Sequence, residues 1–150
     1  MSNLIANTVT TNLVPVQATF DTFGNFINLI GPGGTTFLPT TRALELTNNS
    51  ATPAININNY NFVNITNQTS AITSFTTNLT GNSIDGQRLW IAVTGIVGNG
   101  NATGAISLTW GSAFEASTVA LPTTTVTTAR LDIGFVYNAF TSAWRCVAVA

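Results

Sequence analysis

Apolar and polar residues alternate along this chain in short runs, and the alternation is clearest after residue 86. In Gln87–Val97, Leu89, Ile91 and Val93 point one way while Trp90, Ala92 and Thr94 point the other. A period of two is the signature of a half-buried strand. Ala105–Trp110 repeats it with Ile106, Leu108 and Trp110. The seven residues between, Gly98–Gly104, are rich in Gly and Asn, which tolerate positive φ. The pattern predicts that these two strands form a hairpin. A second hairpin is predicted from Leu131–Asn138 and Ala143–Val149 around the turn Ala139–Ser142. Leu131, Ile133, Phe135 and Tyr137 share one face of its first strand. A short turn brings Tyr137 near Trp144, and Phe135 near Cys146.

The first half gives shorter candidates at Val14–Phe20, Phe26–Ile30, Ala43–Thr47, Ala54–Ile57, Phe62–Thr66 and Ile72–Leu79. Gly31-Pro32-Gly33-Gly34 forces a turn among them. No window sustains apolar positions at helical spacing, so no helix is predicted. The uncharged stretch Ser117–Thr128 reads as an extended connection. About eight to ten short strands separated by turns favour an all-β fold, an antiparallel β-sandwich or jelly roll. Val14-Pro15-Val16 marks an extended approach to the domain. Residues 1–16 are read as an N-terminal arm and 17–150 as a single β domain.

Composition sharpens this picture. The chain has 27 Thr and 18 Asn among 150 residues. Thr is β-branched and suits strands, while Asn suits turns. Four Arg and five carboxylates stand with no Lys and no His, for a net charge of −1 and a charged fraction of 6%. Ordinary soluble domains carry about 25% charged residues. So little charge implies that part of the surface is covered by other subunits. Four dispersed Arg cannot neutralise a row of phosphates, so nucleic acid is not an expected partner. Met1–Asn12 lacks the basic start and apolar run of a signal peptide. No run of apolar residues is long enough to span a bilayer as a helix, so no membrane partner is expected. Five N-x-S/T triplets, at Asn48, Asn64, Asn67, Asn78 and Asn101, are close to the number this composition produces by chance and carry no weight.

The chemistry of the side chains points away from catalysis. Without His or Lys, the usual bases for an activated Ser, Thr or Cys are missing. Cys146 sits in an apolar alternating strand, where a thiol stays protonated. One Cys and scattered acids do not make a zinc site, and no EF-hand spacing exists; no metal or cofactor is expected. Asp85 and Glu115 satisfy the bare requirement of a glycosidase, two carboxylates. The plainer reading is that Asp85-Gly86 is a turn and that Glu115 pairs with an Arg or faces water. Arg130 and Asp132, two apart on one strand, are read as an ion pair. Trp90, Trp110, Phe135, Tyr137 and Trp144 are the candidate packing or interface residues. Large aromatics alternating with aliphatics usually pack, although a sugar-stacking surface is the competing use of Trp and Tyr.

The chain from Asp85-Gly86-Gln87-Arg88-Leu89-Trp90 onward resembles a β module of tailed-bacteriophage virion proteins. The resemblance runs through Leu108-Thr109-Trp110-Gly111-Ser112-Ala113-Phe114 and Gly134-Phe135-Val136-Tyr137-Asn138. It continues in Thr141-Ser142-Ala143-Trp144-Arg145-Cys146-Val147. Modules of this kind serve in fibres, spikes and head-decorating proteins, commonly as trimers. The resemblance implies a non-enzymatic virion structural protein, assembled in the host cytoplasm. The specific expectation is a homotrimeric capsid decoration, or cement, protein docked on a major capsid protein or another virion protein. Its alternative is the receptor- or carbohydrate-binding tip of a fibre or spike. In either setting the polar, uncharged arm of residues 1–16 is expected to lie on a neighbouring subunit or on the capsid.

Overall fold

The computed structural model describes residues 42–150, together with the backbone of three short strands that precede them. Chain contacts group the protein into two compact units, Met1–Thr40 and Thr41–Ala150. The first unit contains β1 (Gln17–Phe20), β2 (Phe26–Ile30) and β3 (Thr36–Phe37), joined as an antiparallel sheet in that order. β1 and β2 correspond to two of the expected strands. The N-terminal arm and the Gly31–Gly34 turn lie outside the described residues.

The second unit holds eight strands: β4 (Ala43–Leu46), β5 (Ile55–Asn56), β6 (Phe62–Gln68), β7 (Leu79–Thr80), β8 (Arg88–Gly95), β9 (Phe114–Glu115), β10 (Arg130–Asn138) and β11 (Ala143–Val149). Six of them form one sheet in the order β4-β6-β8-β10-β11-β9, and β5 pairs with β7. The described residues are strand-rich and contain no helix, as the alternation implies. The expectation of a wholly antiparallel arrangement requires correction. β4–β6, β6–β8, β9–β11 and β5–β7 are parallel; β8–β10 and β10–β11 are antiparallel. Period-two alternation fixes which side of a strand is buried but carries no information about the direction of its neighbour.

One face of the six-stranded sheet supplies much of the core. Val63, Ile65, Leu89, Ile91, Val93, Leu131, Ile133, Phe135, Trp144 and Cys146 are buried there. Ile55, Ile57, Ile72, Phe75, Ile106, Leu108, Trp110 and Phe114 complete the same apolar cluster. Most of that second group comes from irregular chain, whose backbone polar groups must therefore find partners. Side chains provide many of them. Buried Gln68 accepts from the Ser50 amide at 3.2 Å and donates to the carbonyls of Ser50 and Ser70 at 3.0 and 2.9 Å. Buried Thr125 accepts from the Ile106 amide at 2.9 Å. Neutral Asn, Gln and Thr groups thus do what ladder hydrogen bonds do elsewhere, which gives the unusual composition a structural use.

The first expected hairpin does not form. Gly98 and Asn101 exchange backbone hydrogen bonds around Asn99 and Gly100, both at positive φ, making a tight turn. The chain then leaves the sheet. Asn101 secures the departure, accepting from the Gly104 amide and donating to the Ile96 and Ala105 carbonyls. Gly95 permits the close crossing, because a Cβ there would sit 2.0 Å from the Gly104 oxygen. Residues 105–110 bond instead to Ile72, Phe75, Thr123 and Thr125, while both edges of β8 are taken by β6 and β10. Ile72–Leu79 likewise is not a continuous strand; it bridges Leu108 at Ile72 and enters β7 only at Leu79.

The terminal hairpin forms as expected, with the paired residues directly opposite. Tyr137 is opposite Trp144 and Phe135 is opposite Cys146. A shift between Gly134 and Phe135 leaves Val147 as an extra residue, so β11 carries a bulge.

Candidate binding surfaces

The sheet face opposite the core is built from the alternate residues of the same strands. Across it, register lines up Phe62, Trp90, Gly134 and Ala148 in one row. A neighbouring row contains Glu45, Asn64, Ala92 and Asp132, and on the other side lie Arg88, Val136, Arg145 and Glu115. Six of the eight charged residues between 42 and 150 therefore share this face, counting Arg130 beside Asp132. Three are basic and three acidic, so the face is electrically balanced.

Trp90 dominates it. The residue is 41% exposed, and a Cβ added to Gly134 would lie 3.0 Å from Trp90 Cη2 and 3.1 Å from Cζ2 and Cζ3. Three atoms of the six-membered ring are nearly equidistant from one point, so the ring lies flat over the glycine. An aromatic ring laid over a bare glycine covers backbone that would otherwise be wet. Phe62, the strand neighbour of Trp90, has its ring covered by Arg130, whose guanidinium carbon is 5.5 Å from the ring centroid. Arg130 is held in turn by Asp132 at 2.6 Å, the expected ion pair. Both partners are partly exposed, so the pair's worth lies in orienting Arg130 more than in stability. Asn64 donates to Glu45 at 2.8 Å, while its buried Oδ1 has no hydrogen-bond partner among the described residues.

The tip of the terminal hairpin is a second feature. Asp85 accepts from the Ala139 amide at 2.9 Å, and Glu115 accepts from Thr141 Oγ1 at 2.9 Å and Asn138 Nδ2 at 3.3 Å. The two carboxylates weighed as a catalytic pair thus converge on one turn and hold its shape. Among the described residues no Arg forms an ion pair with Glu115; its partners there are the Asn138 amide and the Thr141 hydroxyl, and it remains partly exposed. Phe140 at the turn is 97% exposed.

The other aromatic candidates occupy the core side. Trp110 stacks on Phe75 at 4.3 Å and 13°, and its indole N–H donates to the Pro122 carbonyl at 2.7 Å. Phe135 packs against Trp110 and Phe114 at 5.1 and 5.0 Å. Trp144 is buried, with the half-buried Tyr137 edge-on at 5.3 Å. Trp90 thus stands apart from its fellow candidates: the same alternation that buries Leu89 and Ile91 turns it outward. Phe75 and Phe114, central to the aromatic cluster, are not among the packing candidates: Phe75 falls within the expected strand Ile72–Leu79 and Phe114 beyond Ala105–Trp110, where alternation is weak. Cys146 is buried, and that burial pushes its thiol above the ordinary value, an effect a backbone hydrogen bond at Ala148 partly opposes. Among the described residues no group of acids and cysteine is arranged to hold a metal. Compared with protein-family models, curated proteins and solved structures, the chain matches none.

Proposed function

We propose that this is a non-enzymatic virion structural protein, a trimeric capsid decoration protein that strengthens a phage shell. The observation that carries the non-catalytic part is the use to which its reactive groups are put. Asp85 and Glu115 are engaged in fixing one turn, Arg130 and Asp132 bind each other, and Cys146 is a buried thiol. A catalytic carboxylate needs an environment that sets its proton affinity and a free approach to substrate. The virion context and the trimer come from the resemblance of residues 85–147 to phage β modules. The balanced, weakly charged sheet face supports subunit packing, since no net repulsion opposes burial. In this reading the six-stranded sheet and the layer carrying β5 and β7 are the two halves of a β-sandwich of the kind such modules use.

Imaging of intact particles tests the address. Density for the protein at capsomer junctions, with lower capsid melting temperature when it is removed, is the expected result. Density confined to a tail tip would overturn the decoration role. A receptor-binding tip is the second reading, favoured by one observation, the outward Trp90 ring.

A further inference from the structure

We infer that the outer face of the six-stranded sheet joins copies of this chain head to tail, with Trp90 at the centre of the contact. The inference rests on the trimer of the proposed function and names the surface that closes it. A ring buried between subunits is not open to a receptor, so the contact goes with the decoration role and against the fibre tip.

An apolar patch lies where such a contact needs one. Trp90 is 41% exposed over its glycine seat. Ala148, opposite Gly134 in the register, and Val136, the next residue on that face of β10, are both half-buried. Strict alternation from buried Cys146 would turn Ala148 toward the core; the bulge sets it on the outer face instead. The extra residue of that bulge, Val147, is 45% exposed. The patch is confined to β8, β10 and β11. Toward β6 the face is already covered, with Ala92 buried and the Phe62 ring under Arg130. An aromatic anchor among small and β-branched side chains, inside a charged rim, is the anatomy of a protein–protein contact.

The rim identifies the occupant. The six charged side chains of this face are balanced in number but not in place. Arg88, Arg145 and Glu115 lie on the hairpin side of the Trp90 row, while Glu45, Asp132 and Arg130 lie on the other side. Two Arg and one Glu give the first end a net charge of +1; two acids and one Arg give the second −1. The rows of Arg88 and Glu45 are about 13 Å apart at the usual rise of a strand. Glu115 is held by the hairpin turn, and Asp132 by Arg130. Arg88 and Arg145 at one end and Glu45 at the other are exposed, with no ion-pair partner among the described residues.

A surface with opposite charge at its two ends is complementary to another copy of itself. The basic end of one copy meets the acidic end of the next, and the apolar centres are buried between them. Repeated in one sense about an axis, such a contact is heterologous and closes into a ring. The chain's net charge of −1 leaves little repulsion between copies to oppose it.

The test is sedimentation of the full chain and its variants from nanomolar to micromolar concentration, with the melting of each measured alongside. Trp90→Ala should raise the concentration for half-assembly at least about tenfold, the loss expected of a central aromatic anchor. Val147→Asp, which sets a charge into the patch from an exposed position, should weaken assembly as well, and it decides the matter if Trp90→Ala does not fold. Arg88→Glu and Glu45→Arg should each weaken the trimer. The two together invert both ends of the face and should restore it. A trimer that persists unweakened in Val147→Asp would overturn this contact and leave the trimer itself standing. A double variant no better than the single ones would overturn the head-to-tail pairing of the ends. A wild-type chain that stays monomeric would remove the contact and the trimer together.

Discussion

Tyr137 and Trp144 meet edge to face across the last hairpin, their ring centroids 5.3 Å apart at 61°. Their strands pair directly at this point, and Trp144 is buried while Tyr137 keeps one side toward solvent. An aromatic pair of this kind adds about 0.5–1.5 kcal/mol beyond simple burial. Truncation removes far more than that pair. Trp144→Ala should destabilise the protein by about 3–5 kcal/mol, read as a fall in the denaturation midpoint. Tyr137→Leu should cost much less, because its ring is only half-buried. Equal losses for the two would show that Trp144 does not anchor the core.

Gly134 and Trp90 give a prediction specific to the outer face. A valine at 134 would thrust carbon into the indole, since even a Cβ there approaches three ring atoms to 3.0–3.1 Å. Gly134→Val should displace Trp90 outward, seen as a red-shifted and more readily quenched component of tryptophan emission. Trp110 and Trp144, buried on the other face, should contribute unchanged emission. Overpacking typically costs about 1–3 kcal/mol, so a modest loss of stability should accompany the shift.

Cys146 should show itself through both reactivity and pH. Its thiol is fully buried, so the native protein should react slowly with a thiol reagent at mildly alkaline pH and rapidly once unfolded. Burial raises its proton affinity in the folded state above the ordinary value of 9.0. The unfolded thiol therefore loses its proton first as pH rises. Stability should hold below about pH 9 and decline above it, where the unfolded chain binds fewer protons than the folded one. Cys146→Ser should remove that alkaline component; an unchanged decline would assign it to other groups.

Assembly is the fourth prediction. The proposed trimer should appear in sedimentation at micromolar concentration, and a clean monomer there would exclude it. A cyclic interface closes after three copies and leaves no free surface for further growth. Deleting residues Met1–Asn12 should leave the melting of the folded body intact and weaken trimer formation or capsid attachment. Ordering such a segment costs about 1–2 kcal/mol per residue in backbone entropy, so unchanged assembly after deletion would show that it makes no compensating contacts.

The sequence by itself determined the local character of the protein. Alternation in Leu89–Val93 and Leu131–Tyr137 assigned the buried faces of β8 and β10. The short turn after Asn138 set Tyr137 against Trp144, because a tight turn leaves little choice of register. Arg130 and Asp132, two apart on one strand, were already placed to meet. Only the tertiary structure decided which strands are neighbours. Ile106, Leu108 and Trp110 show their buried side in the sequence, yet nothing local says that Ile72 and Thr123–Thr125 will bond to that stretch in place of β8. The same limit hides the outer face. Trp90 turns outward by alternation alone, but its flat seat depends on Gly134, 44 residues away in sequence and directly opposite in the sheet. Strand partners are chosen by the global competition to bury apolar surface and satisfy backbone hydrogen bonds, and that competition has no local signature.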